Sequence, residues 1–396
     1  MKFIKKKLKN GITLIVEQRE IPVVSLSITN RFGASHETSN IKGIAHVIEH
    51  LVFTGTKTRT HEQISKEIER HGGVLNAFTT NDLTSFFFKL PSQHFFIGLD
   101  IITDIMNNPS FNEQKFEKEK KVIIEEIKMY HDTPTRYVYD QILKNLYSSP
   151  LGEGIIGSEK TINSLKRDFV IDYFKKKYNP SNYIVTAVGK VDVKKLINYL
   201  EKNFKANKNS SSPQKIKKIN KETTEKRKDI DQSHFIFAFH APEANEKERY
   251  ALEVLDAHLT SGMSSKLFLK IREELGLAYS IRGGLTTEKT HSYYSIYVGT
   301  RKEAIPKVKK IILEEFEKIK DITPSEVEQA KEKLIGLHTI SKEESSEVMS
   351  ELLFAELTGK AEDYYKREKN ISQVKISDVK KLAKIRNFST ASIVPE

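Results

Sequence analysis

The sequence predicts an α+β protein built of two similar halves, each a mostly antiparallel sheet covered by helices. Three observations predict it. Strand-like runs are separated from helix-like runs rather than alternating with them, which argues for layers over a doubly wound parallel sheet. The order strand, helix, helix, hairpin, helix, helix occurs twice, at a period near half of the 396 residues. Between the two copies lies Lys205–Asp229, poor in bulky apolar residues and containing Ser210-Ser211-Ser212-Pro213, which reads as a linker. The expected division is a domain over 1–204, a linker over 205–229 and a second domain over 230–396.

The N-terminus predicts a hairpin turning at Lys9–Gly11. Its apolar part, Ile12–Val16, is too short for a signal-peptide core. Val23–Phe32 alternates and is rich in β-branched residues, so it predicts a strand. A helix is expected from near Ile41 to near Gly55, then an amphipathic one over Thr60–His71 closed by Gly72-Gly73. Val74–Leu90 predicts two strands broken at Thr80–Asp82. Helices are expected over Gln93–Met106, Asn112–His131, Lys166–Tyr178 and Val193–Phe204, with a buried strand inside Asn182–Asp192. The second half repeats the order. It offers a strand at His234–Pro242, helices at Lys247–Leu259 and Ser264–Gly276, a strand pair within Leu277–Thr300, and helices at Lys302–Lys320 and Pro324–His338.

Bulk composition excludes several classes. Hydrophobic residues are 38% and charged residues 30%, as in a globular chain. There is no cysteine, which removes disulfides, thiolate metal sites and cysteine nucleophiles, and fits a reducing compartment. A cytoplasmic location is expected. No apolar run approaches the roughly 18 residues of a membrane span, so no membrane partner is expected. The net charge of +12 is spread over mixed-sign helices such as "EKEKKVIIEEIKM". It forms no basic platform interleaved with aromatics, so no nucleic-acid partner is expected either.

Chemistry concentrates in "GIAHVIEHLVFTGT", Gly43–Thr56, which sets His46, Glu49 and His50 at i, i+3 and i+4 on one helical face. Among Ile44, Val47, Ile48, Leu51 and Phe53, such groups cost stability unless something binds them. The bland alternative is a helix with two partly exposed histidines. Catalytic zinc takes three protein ligands and keeps one position open, so a third ligand is required. In "FEKEKKVIIEEIKMYHDTP", Glu119 and Glu126 are two helical turns apart and share a face. Glu126 also lies within the apolar stretch Val122–Ile127, whereas Glu125 points about 100° away from it.

With these motifs the chain resembles the pitrilysin and mitochondrial processing peptidase family of inverted-motif zinc peptidases. The likeness also runs through "RFGASHE", "GGVLNAFTTNDLTSFFFKL", "PLGEGIIGSEKTI", "YNPSNYIVTAVGKVD" and, in the second half, "LTSGMSSKLFLKIREELGLAYSI". It implies one zinc ion per chain held by His46, His50 and Glu126, with Glu119 behind a histidine ligand and Glu49 as the general base. Arg272 and Tyr279 would reach a bound peptide, and Asn76, Ala77 and Phe78 would line it as an added strand. The resemblance further implies an endopeptidase acting on short or unfolded peptides inside a chamber closed by a homodimer. The alternative is a non-catalytic processing partner of the same family.

Overall fold

The computed structural model describes residues 1–205, 213–385 and 387–396. Residues 206–212 of the expected linker lie outside the described residues.

The first sheet contains β1 (Lys2–Lys7), β2 (Thr13–Gln18), β3 (Val23–Asn30), β4 (Val74–Thr79), β5 (Thr84–Pro91) and β6 (Tyr183–Gly189). Their order is β1-β2-β6-β3-β5-β4, and every neighbouring pair is antiparallel except β2 with β6. The second sheet contains β7 (Glu222–Arg227), β8 (Ser233–His240), β9 (Ala278–Thr287), β10 (Ser292–Thr300) and β11 (Ser389–Pro395). Its order is β7-β11-β8-β10-β9, again with one parallel pair, β7 with β11. Without β1, the two orders coincide strand for strand, parallel pair included. The expected α+β class and the duplication are both present in this topology.

Side chains alternate across each sheet, so two faces need covering. In the first sheet, Leu14, Val16, Leu26 and Phe86 face α1 (Ile44–Phe53), α2 (His61–Glu69), α3 (Phe95–Asn107) and α4 (Glu113–His131). On the other face, Ile15, Ile184 and Val188 pack against Val348, Leu352 and Leu353 of a helix at Ser345–Thr358. In the second sheet, Phe235, Phe237 and Ile296 meet Leu252, Leu255 and Ile312. Its opposite face, Ile236, Ala238 and Ile393, is covered by Val138, Ile142 and Leu146 of α5 (Pro134–Leu146).

The compact units are consequently discontinuous. One comprises Met1–Lys128, Gly154–Lys215 and Ser341–Tyr364, and the other Met129–Glu153, Ile216–Ile340 and Tyr365–Glu396. A division by sequence position does not contain this exchange of helices. Two local expectations also change. Within the segment read as a linker, Glu222–Arg227 is strand β7, an edge strand of largely exposed polar residues that lacks the alternation by which strands are recognised. In the helix expected at Ser264–Gly276, Phe268–Glu274 is wound as a π-helix, and this segment carries Arg272.

Candidate metal centre

Helix α1 begins where the chain turns through Gly43 at φ 97°, a left-handed conformation. A Cβ there would also stand 2.7 Å from the Ile156 carbonyl oxygen, so glycine is required twice over. The first amides of the helix would be buried without partners. Glu37 supplies them: its carboxylate accepts from the Gly43 N–H at 2.9 Å and the Ala45 N–H at 2.8 Å. Glu37 is fully buried and stands 3.7 Å from the ammonium of buried Lys42, which itself donates to the Ala34 carbonyl at 2.9 Å. Burial pushes the Glu37 carboxyl up to about 7, against the pull of Lys42 and the two amides.

With its start fixed, α1 buries Ile44, Ala45, Val47, Ile48, Leu51 and Val52 in the core and turns His46, Glu49 and His50 towards α4. Helix α4 is anchored by buried Phe116 and Ile123, and by Lys120, whose ammonium reaches the Asn163 carbonyl at 3.2 Å. Glu126 thereby meets both histidines. Its Oε2 lies 3.7 Å from His46 Nε2 and 3.5 Å from His50 Nε2, and the two imidazole rings are 4.6 Å apart. One ligand atom from each of the three residues falls within 4.8 Å of the others. Glu119 Oε2 lies 3.3 Å from His50 Nδ1, and so turns the other ring nitrogen towards Glu126. Glu125, the rejected neighbour, faces solvent and pairs with Lys128 at 2.8 Å.

A tetrahedral ion with bonds of roughly 2.0–2.2 Å holds its ligand atoms roughly 3.3–3.6 Å apart. The observed separations of 3.5 and 3.7 Å suit such an ion, and two imidazoles with one carboxylate are a borderline-soft donor set appropriate to zinc. Electrostatics agree. Burial and the neighbouring His50 push His46 down towards the neutral form a metal requires. Burial also opposes charge on His50, but hydrogen bonds to Glu119 and Glu126 outweigh it and raise the group. The pair thus holds positive charge at the point where a cation would sit.

Glu49 is half-buried beside this cluster. Its Oε2 accepts a 2.5 Å hydrogen bond from Thr79 Oγ1, at the end of β4. Burial raises the Glu49 carboxyl, and the Thr79 bond counters that rise. Asn76, Ala77 and Phe78 precede Thr79 on β4, an edge of the first sheet. Asn76 is exposed, with its side-chain oxygen on the Ala77 N–H at 2.8 Å, whereas the Phe78 ring packs on Phe87 and Phe354. Arg272 and Tyr279 belong to the other compact unit. The Arg272 guanidinium lies 4.8 Å over the Phe268 ring, and Tyr279 is half-exposed on β9 with its ring against Gly299. Sequence reading did not single out Glu37 or Thr79, although Glu37 ends the quoted motif "RFGASHE" and Thr79 lies within "GGVLNAFTTNDLTSFFFKL".

Comparison with known proteins matches two family models to successive parts of the chain. Residues 13–159 match the family model described as insulinase, peptidase family M16, and residues 164–334 match the one described as peptidase M16 inactive domain. The uncharacterized zinc protease YmxG of Bacillus subtilis is 31% identical over 352 residues, 86% of this chain and 85% of that one. An uncharacterized zinc protease of Rickettsia felis is 31% identical over 336 residues, 83% of this chain and 81% of that one. The crystal structure of a protease from Helicobacter pylori shares the fold at a TM-score of 0.93 and 22% identity, covering 100% of this chain and 99% of that one. Among the described residues, no helix is long and apolar enough to cross a membrane.

Proposed function

This chain belongs to peptidase family M16, and on that footing we propose that it is a zinc-dependent endopeptidase acting on short or unfolded peptides as a homodimer. The observation that carries the reading is the convergence of His46, His50 and Glu126, from two helices far apart in sequence, beside the carboxylate of Glu49. When bound, zinc would supply a Lewis acid for the scissile carbonyl and a water acidic enough to be deprotonated near neutrality. Glu49 takes the proton from the attacking water and returns it to the departing amine nitrogen. Glu119 holds His50 by its Nδ1–H, keeping Nε2 as the ligand atom.

As an edge strand, β4 takes a peptide lying alongside it as an added strand, with Asn76 and Ala77 along it. Short or unfolded chains adopt such an extended strand without first breaking structure of their own, hence the preference for them. Arg272 and Tyr279 supply, in this reading, a cationic and a phenolic contact to the bound peptide, from the partner copy of a closed dimer. Glu49→Gln tests the reading: zinc content by elemental analysis should stay near one per chain while cleavage of a mixed peptide library disappears. Wild-type protein that binds zinc and cleaves nothing would assign the non-catalytic partner role instead. Sedimentation with activity across the boundary tests the dimer, and an active monomer would remove it.

A further inference from the structure

The hydrogen bond between Thr79 and Glu49 joins two parts of the molecule that a peptidase must coordinate. Thr79 is the last residue of β4 and pairs across the hairpin with Thr84. The turn that follows is closed by the Thr80 N–H donating to the Leu83 carbonyl at 2.8 Å. It is also held from outside, because the Ala34 N–H donates to the Thr80 carbonyl at 3.0 Å and the Ser35 N–H to the Asn81 carbonyl at 2.8 Å. Gly33 sits so close that a Cβ there would stand 2.4 Å from the Thr80 oxygen. The C-terminal end of β4 is thus clamped, while the strand before it runs along the edge of the sheet.

Alternation along β4 places Leu75, Ala77 and Thr79 on one face and Asn76 and Phe78 on the other. Leu75 and Ala77 pack against the same core as α1, so Thr79 is the one polar residue of that face. Its hydroxyl has a single proton to donate, and it goes to Glu49 Oε2. Among the described residues no other side chain donates to Glu49. Held by one oxygen, the carboxylate keeps a fixed rotamer with Oε1 remaining to accept a proton.

We propose that Thr79 is a positioning residue which ties the general base to the strand where a peptide would dock. This rests on the reading of Glu49 as base given above. A base so tied is held in register with whatever backbone pairs along β4, because Thr79, which holds it, follows Asn76, Ala77 and Phe78 on one strand clamped at its end. Thr79 itself touches neither metal nor substrate; it acts through Glu49.

The test uses the full zinc-loaded chain, with a quenched-fluorescent unstructured peptide taken from a library digest as probe. Thr79→Val keeps the shape and removes the donor, and Thr79→Ser restores a donor. For Thr79→Val the expectation is a fall in kcat of roughly 10–100-fold, the usual penalty for a misplaced catalytic group, with KM changed by less than about threefold. Zinc content and thermal midpoint should stay at wild-type levels, and Thr79→Ser should recover most of the lost kcat. A merely structural threonine would instead lower the midpoint or the zinc content, with kcat per bound zinc unchanged, and that result overturns the proposal. So does an equal loss in the valine and serine variants. Glu49→Gln is run alongside: if it cleaves like the wild type, the base assignment fails and Thr79 falls with it. If Glu49→Gln is dead and Thr79→Val is fully active, only the Thr79 proposal fails.

Discussion

Helix α1 and the Glu248–Leu259 helix follow equivalent strands, β3 and β8, in sheets of the same topology, and each carries titratable groups three residues apart, His46 and Glu49 in the first and Glu253 and Asp256 in the second. Their environments differ in kind. In the second unit, Glu253 forms an ion pair with Arg367 at 2.8 Å, and Asp256 accepts from Tyr294 at 2.8 Å and from Thr260. Each acid is answered by groups of its own unit. In the first unit, His46, His50 and Glu126 turn their ligand atoms onto one another, and among the described residues Glu49 has one side-chain donor, Thr79. A shared scaffold therefore carries acids paired within the unit in one copy and a ligand-ready cluster in the other. Where the neighbours satisfy an acid it supports the fold; where they gather further ligands around it, it can do chemistry.

The largest expected effect breaks the comparison at the acids themselves. Glu49→Gln should lower kcat by about 10²–10⁴-fold with metal retained, whereas Asp256→Asn should leave kcat per folded molecule unchanged. Steady-state kinetics normalised to zinc content read both. Next, Glu119→Gln should weaken zinc binding by about 10–100-fold, because His50 loses the acceptor that orients it. Competition with a chromogenic chelator measures this, and an unchanged affinity would deny Glu119 that part.

Arg367→Ala should destabilise the second unit by about 1–3 kcal/mol, since Glu253 would stay buried without its partner. Zinc affinity should not move. Urea unfolding followed with a probe in the second unit reports the first quantity, and a parallel loss of zinc would show that the two networks are not independent.

The smallest effect concerns pH. The Glu37 carboxyl is raised from 4.5 to about 7 in the folded chain. Between those values the folded state holds more of its proton than the unfolded state does, so stability from this group is complete below about 4.5 and declines as pH rises through about 7. The difference in thermal midpoint between wild type and Glu37→Gln should therefore shift against the wild type from pH 5 to 7 and level off above. A difference that is flat across this window would show that Lys42 and the two amides offset the effect of burial on the Glu37 carboxyl.

Much of the site was legible because its parts are local. The i, i+3, i+4 spacing on α1 and the seven-residue spacing on α4 follow from helix geometry alone, and the choice of Glu126 over Glu125 follows from a 100° turn per residue. The N-terminal hairpin and the strand pairs likewise declare themselves by alternation and turn residues. Less visible were β7, whose Glu-Thr-Thr-Glu-Lys-Arg run is polar on both faces, and the helices at Pro134–Leu146 and Ser345–Thr358. Those helices cover sheet faces belonging to distant parts of the chain, and no spacing within them says which sheet needs a cover.

By itself the sequence determined the α+β class, the doubled plan and which side chains of α1 stand together, since each depends on periodicities of a few residues. Only the tertiary structure decided that Glu126 meets both histidines, that Glu37 closes the start of α1, that Thr79 holds Glu49, and that each sheet is completed by a helix from the far side of the chain. Those contacts join residues from 6 to more than 160 positions apart. Packing of whole elements, rather than local spacing, brings such groups within hydrogen-bonding or ligand distance.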